Sequence, residues 1–141
     1  MPDNQRVSFF DENYLRDGYF DRDSKSLRPD VVDKLAFDAA AALVNAHTKT
    51  HQLRRFYNQL RAIERSLGPN HTFEQSKAQI KLLKPFAAYQ VGRDLVWGDF
   101  KRFIDRNVDL AVQSENNFRH GCIPHLQAVL GYFVFKTRGR Q

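Results

Sequence analysis

The helical period of residues 50–93 constrains this chain most. Leu53, Phe56, Leu60, Ile63 and Leu67 recur at helical spacing, while Arg54, Asn58, Arg61 and Arg65 form a second stripe. At roughly 100° per residue those four polar positions fall within about 60° of one another, so the segment reads as an amphipathic helix with a basic flank. After a Gly68-Pro69-Asn70 stop, Lys77, Lys81 and Lys84 repeat the spacing at i, i+4 and i+7. A half-buried strand would alternate with period two instead, and no convincing alternation occurs anywhere along the chain. The period selects an all-α fold, with parallel ridges of Arg and Lys.

The remaining segments extend that reading to a single-domain bundle of about five helices, residues 29–141, behind an N-terminal arm, residues 1–28. The arm scatters Phe9, Phe10, Tyr14, Tyr19 and Phe20 among Asp and Arg without a sustained period. Its aromatics are expected to pack onto the helical body or onto a neighbour. Pro29-Asp30 marks a helix start with acidic first-turn residues, and Val31, Val32, Leu35, Ala36, Ala39, Ala42, Leu43 and Ala46 give that helix a narrow face. Thr48 or Thr50 is the expected cap of the helix running to Leu67. Thr72 followed by Gln75 is a capping-box pattern. Pro85 removes a backbone donor and should kink or restart the helix it meets. A further helix spans about residues 95–112, Ser114–Asn117 reads as a loop, and Pro124 sits in the first turn of the last helix.

Charge separates the two ends. Residues 1–48 carry 6 Lys and Arg against 9 Asp and Glu, a net of −3, whereas residues 49–141 carry 16 against 7, a net of +9. A localised anionic partner fits this asymmetry better than general adhesion. The single cysteine, Cys122, leaves no internal disulfide and agrees with a reducing cytoplasm. The longest unbroken apolar run, residues 39–44, is far shorter than the roughly 20 residues a bilayer span needs. A soluble, cytoplasmic protein without a membrane partner is expected.

Catalytic constellations are thin. There is no Gly-rich phosphate loop, no nucleophile elbow and no zinc helix of the His-Glu-x-x-His type. Asp105 and Asp109 share a helix face with Lys101 and neighbour Arg102 and Arg106, which ion pairing explains more simply than acid–base catalysis. His47 and His51 stand at i, i+4, and His120, Cys122 and His125 resemble a fragment of a metal site. Structural zinc wants four nitrogen and sulfur ligands, so neither a metal nor any other cofactor is expected. Asp21-x-Asp23 lacks the rest of a calcium loop and reads as a solvated turn. The basic stripes also have a bland reading, because every amphipathic helix needs a polar face. What favours ligand binding is the shortage of acid: Glu64 is the only carboxylate between Lys49 and Arg65, and Glu74 the only one between Thr72 and Arg93. The expectation is that nothing local neutralises these cations.

Two segments carry a family resemblance. Gln52-Leu53-Arg54-Arg55-Phe56-Tyr57-Asn58, ending in Ile63-Glu64, resembles a signature of the small helical subunit of type III-A CRISPR effector complexes. Leu82-Leu83-Lys84-Pro85-Phe86, continuing through Tyr89 to Gly92-Arg93, is similar to a second signature of that family. Asn13-Tyr14-Leu15, Gly18-Tyr19-Phe20-Asp21 and residues 128–133 resemble its leader and closing helix, and Pro124-His125-Leu126-Gln127 departs from its usual pattern. The resemblance implies a non-enzymatic, antiviral-defence subunit that steadies the guide RNA–target RNA duplex. Its implied partners are those RNAs, the backbone and large subunits, and further copies of itself. Carried onto this chain, it makes Arg54, Lys84 and Arg93 the leading RNA contacts. Arg55, Arg61, Lys77 and Lys81 follow from the stripes alone. Tyr57, Tyr89 and Tyr132 are candidates to stack on bases, whereas Phe56 lies on the core face. Two other readings are a helical DNA-binding regulator, for which Phe73 and Gln75 are poor base readers, and a protein-interaction bundle whose charges serve solubility.

Overall fold

The computed structural model describes residues 8–93, 95 and 97–138. After a 3-10 turn, Pro29–Val32, the helices run α1 Lys34–Asn45, α2 Thr50–Ser66, α3 Phe73–Lys81, α4 Leu83–Gly92, α5 Gly98–Ala111, α6 Glu115–Asn117 and α7 Ile123–Thr137, with a π-helical turn, Phe118–Cys122, joining the last two. Only Leu82 separates α3 from α4, so they form one bent rod and the long rods number five among the described residues. No strand occurs among them, only the isolated bridges Phe20–Leu27 and Gly68–His71. The all-α expectation holds.

Each rod buries the stripe its sequence marks. Ala36, Ala39, Ala40 and Leu43 of α1 are buried, and small side chains let α1 lie close along α7. Leu53, Phe56 and Leu60 of α2 and Phe100, Phe103, Ile104 and Val108 of α5 meet Ile123, Leu126, Val129 and Phe133 of α7 in one core. Phe56 is edge-on to both Phe100 and Phe86, which pins α2 against α5 and α4.

The helix ends depart from expectation in three places and agree with it at Pro85. The 3-10 turn at Pro29 stops at Asp33, whose backbone (φ −129°, ψ −104°) is not helical, so α1 starts five residues later than its proline suggests. Neither Thr48 nor Thr50 caps α2; Lys49 occupies the cap, and the Gln52 side chain accepts from its backbone N–H at 2.9 Å. At Pro85 the expected restart occurs: the bend falls at Leu82, and Pro85 sits in the first turn of α4, where its missing N–H does little harm. Residues 114–117 are no loop: the Ser114 hydroxyl accepts from Asn117 N–H at 3.0 Å and starts α6. Thr72 and Gln75 do form the reciprocal box, at 3.2 and 2.8 Å.

Residues 8–28, described as turns, belong to the same core as the helices. Phe10, Tyr14, Leu15 and Tyr19 are buried, and a directional chain of hydrogen bonds ties them down. Tyr19 O–H donates to Asn107 Oδ1 at 2.7 Å, and Asn107 Nδ2 donates to the Tyr14 oxygen at 3.0 Å. Because the Val31 carbonyl, 2.6 Å from His125 Nδ1, can only accept, Nδ1 carries the proton and Nε2 accepts from Tyr14 O–H at 2.6 Å. Arg106 also donates to the Tyr14 carbonyl and Arg28 to that of Gly18. A Cβ built on Gly121 would stand 2.4 Å from Tyr19 Cδ2, so the π-turn leaves room that only glycine provides.

These contacts engage two members of the His120-Cys122-His125 fragment in the core. His125 is a satisfied core histidine, and Cys122 is buried with its thiol pushed up to about 12 by desolvation. His47 and His51 do not share a helix. His47, at φ +62°, ends α1 in a Schellman motif, with Thr48 N–H on the Leu43 carbonyl and His47 N–H on that of Val44, each at 3.1 Å. Its ring lies against Trp97. No group of three or more potential metal ligands occurs among the described residues.

Candidate nucleic-acid interface

Helical geometry divides the seven candidate cations into three groups. On α2, Arg54 and Arg61 stand two residues, about 160° around the axis, from Gln52 and Gln59. Those glutamines face the α3–α4 rod: Gln52 Nε2 donates to Gln90 Oε1 at 3.3 Å, and Gln59 lines a groove with Gln79. Arg54, Arg61 and Arg65 therefore occupy the outer flank of α2.

The rod behaves the same way. Lys77, Lys81 and Lys84 fall on its α5 side, and Lys84 Nζ reaches Asp109 of α5 at 2.8 Å. Arg93 does not join them. Nine residues after Lys84, it lies half a turn around the axis, above Tyr89 and Phe86 on the side of α2. Its guanidinium donates to Tyr89 Oη at 3.0 Å and lies 5.7 Å from that ring. Arg55, about 100° from Arg54, stacks over Phe86 at 4.5 Å.

The ridges are thus not one continuous face. Between them runs an open groove of about 570 Å³ lined by Gln59, Ala62, Ile63, Gln79, Leu82, Leu83, Pro85 and Phe86. The reason is ordinary packing: two amphipathic rods turn their apolar edges toward each other and their charges outward.

The expectation of unneutralised charge holds for part of the set. Arg54, Arg65 and Lys81 are exposed, and no described carboxylate pairs with them. Arg61 pairs with Glu64 at 2.7 Å and Lys77 with Glu74 at 3.0 Å. Lys84 is held by Asp109, which raises its pKa chiefly through their hydrogen bond. Glu64 and Glu74 are local i, i+3 partners and correct the expectation that nothing local neutralises the cations, whereas Asp109 lies 25 residues from Lys84. These pairs remain open to solvent, so each is worth about 1 kcal/mol or less, and a phosphate can displace the carboxylate. The outward set also includes Arg65, which the stripe contained, while Arg119 lies at the other edge, 2.7 Å from Glu115 and 4.0 Å from Glu64.

The candidate stacking residues separate as well. Tyr57 is half-buried against the core, and Tyr132 is engaged by Asp33 at 3.2 Å and by Phe37. Tyr89 alone of the three is exposed, at 58%. No helix among the described residues is long and apolar enough to cross a membrane.

No curated protein and no solved structure matches the chain. A family model described as Csm2 Type III-A matches residues 27–137, a span that takes in every helix among the described residues, both basic ridges and the groove between them. With that match added to the all-α core, the chain belongs to the Csm2 Type III-A family, the small structural subunits of type III-A CRISPR effector complexes.

Proposed function

We propose that this subunit holds RNA for other subunits to process, steadying the guide RNA–target RNA duplex through phosphate contacts and performing no catalysis itself. Arg54, Lys84 and Arg93 are the leading contacts, supported by Arg55, Arg61, Lys77 and Lys81. The observation that carries the reading is the outward placement of Arg54, Arg65 and Lys81 without carboxylate partners among the described residues, on a segment of net charge +9. Cations on helix flanks grip a backbone without reading bases. Such tolerance suits a guide system, where base pairing reads the sequence.

The partners in this proposal are the guide and target RNAs, the backbone and large subunits, and further copies of the chain, in the cytoplasm of a prokaryotic cell. Charge reversal of Arg54, Lys84 and Arg93 together tests it. All three are at least partly exposed, so the variant should fold and assemble with the larger subunits yet fail to support target-triggered interference. Normal interference by an assembled variant refutes the proposal.

A further inference from the structure

The outer edge of α4 differs in kind from the lysine ridge. Phe86, Tyr89 and Arg93 follow at i, i+3 and i+7 and form one row along the helix. Each ring in that row is paired with a guanidinium: Arg55 lies 4.5 Å over Phe86, and Arg93 lies 5.7 Å from the Tyr89 ring with a 3.0 Å hydrogen bond to its hydroxyl. Phe86 is half-buried and edge-on to Phe56, so its place is fixed by the core. Tyr89 is not a core residue. At 58% exposure it spends a large aromatic surface on solvent, beside Leu82 at 64% and the groove that Leu82, Pro85 and Phe86 line.

A phosphate-binding surface has no use for an exposed ring. Duplex RNA presents its phosphates and sugars outward and keeps its bases stacked inside, so ridge cations suffice for it. An exposed aromatic side chain flanked by arginine is instead the feature that takes an unstacked base: the ring supplies the platform and the guanidinium holds the neighbouring phosphate.

We infer that Tyr89, with Arg93 and Arg55, forms a stacking site for an unpaired nucleobase, so that this subunit engages single-stranded or locally opened RNA as well as duplex. The inference rests on the RNA-binding reading above and sharpens it. The ridges hold backbone by charge, and the α4 row holds a base by its π-face, whatever its identity. Arg93 serves both, since the bond it gives the Tyr89 hydroxyl uses one N–H and leaves its other donors for a phosphate with or without that hydroxyl.

The two kinds of contact separate by salt dependence. Loss of a phosphate contact lowers the slope of log affinity against log salt, whereas loss of a stacked base lowers affinity at every salt concentration and leaves the slope alone. The test titrates the full-length chain with a short adenosine-rich RNA carrying a central 2-aminopurine, single-stranded and as the matching duplex, over a salt series. Tyr89→Leu, which keeps apolar bulk but loses the ring, should weaken single-strand binding about tenfold. Its slope should be unchanged, the 2-aminopurine quenching should disappear, and duplex binding should stay as it was. Tyr89→Phe should retain both affinity and quenching.

Two results overturn the inference while sparing the phosphate reading. One is salt-dependent binding by the wild type that Tyr89→Leu leaves intact, which would hand the exposed edge to a protein neighbour. The other is equal loss on single strand and duplex. Absence of any salt-dependent RNA binding by the wild type overturns both readings.

Discussion

His125 should make this fold acid-sensitive by a calculable amount. Its ring is buried, donating from Nδ1 to the Val31 carbonyl and accepting at Nε2 from Tyr14, 2.6 Å each. Desolvation outweighs the Val31 bond and lowers its pKa from 6.5 to about 4. In the unfolded chain the imidazole titrates near its ordinary value, so below about pH 6.5 the unfolded state binds a proton that the folded state refuses. The stabilisation is fully present above pH 6.5 and is lost as pH falls toward 4. The linkage relation gives about 2 kcal/mol lost between pH 7.5 and pH 5, and about 3 kcal/mol at full extent. That is a large fraction of a domain stability of roughly 5–15 kcal/mol. Protonating Nε2 would also set an N–H against a tyrosine oxygen already receiving one from Asn107, which forces Tyr14 O–H to turn away from the ring. The assay is urea unfolding across that pH range for the wild type and His125→Asn, whose amide nitrogen can retain the Val31 bond. The variant will be less stable at pH 7.5 but its stability should fall by about 2 kcal/mol less than wild type on going to pH 5. If His125→Asn does not fold, His125→Gln serves, with its amide near Nε2. Equal pH slopes in the wild type and a folded variant would refute the reasoning.

Three other substitutions probe separate features. Gly121→Ala forces Tyr19 from its seat, since the added Cβ would lie 2.4 Å from the ring; a loss of about 1–3 kcal/mol by chemical denaturation is expected. Thr72→Ala removes the capping bond from Gln75 N–H and should cost about 1 kcal/mol by the same measurement. Asp109→Asn breaks the exposed pair with Lys84, so unfolding should change by less than about 1 kcal/mol, while RNA affinity rises because a competing carboxylate is gone.

The rods were legible because each carries its own period. The α2 and α5 stripes and the Thr72–Gln75 box follow from residues within one or two turns, and the structure places them as spacing requires. That the aromatics of the arm would pack was legible, but where they pack depends on distant partners. Tyr14 and Tyr19 have no local period, and their place in the core is set by Asn107 and His125, about 90 or more residues away. The π-turn at residues 118–122 leaves the space Tyr19 fills, so nothing near Gly121 announces it. In the candidate interface the cations were visible but their directions were not. Lys84 and Arg93 belong to one signature in sequence; their spacing puts them half a turn apart, and the contacts with Asp109 and Tyr89 show which neighbour each side faces.

The central claim, that outward cations hold an RNA backbone, is tested most directly by the salt dependence of target-RNA binding to the assembled effector complex carrying either the wild type or a variant with Arg54, Lys84 and Arg93 all changed to Gln. Three lost phosphate contacts should reduce the magnitude of the slope of log affinity against log salt by about 2–3. An assembled variant whose slope matches the wild type would contradict the account.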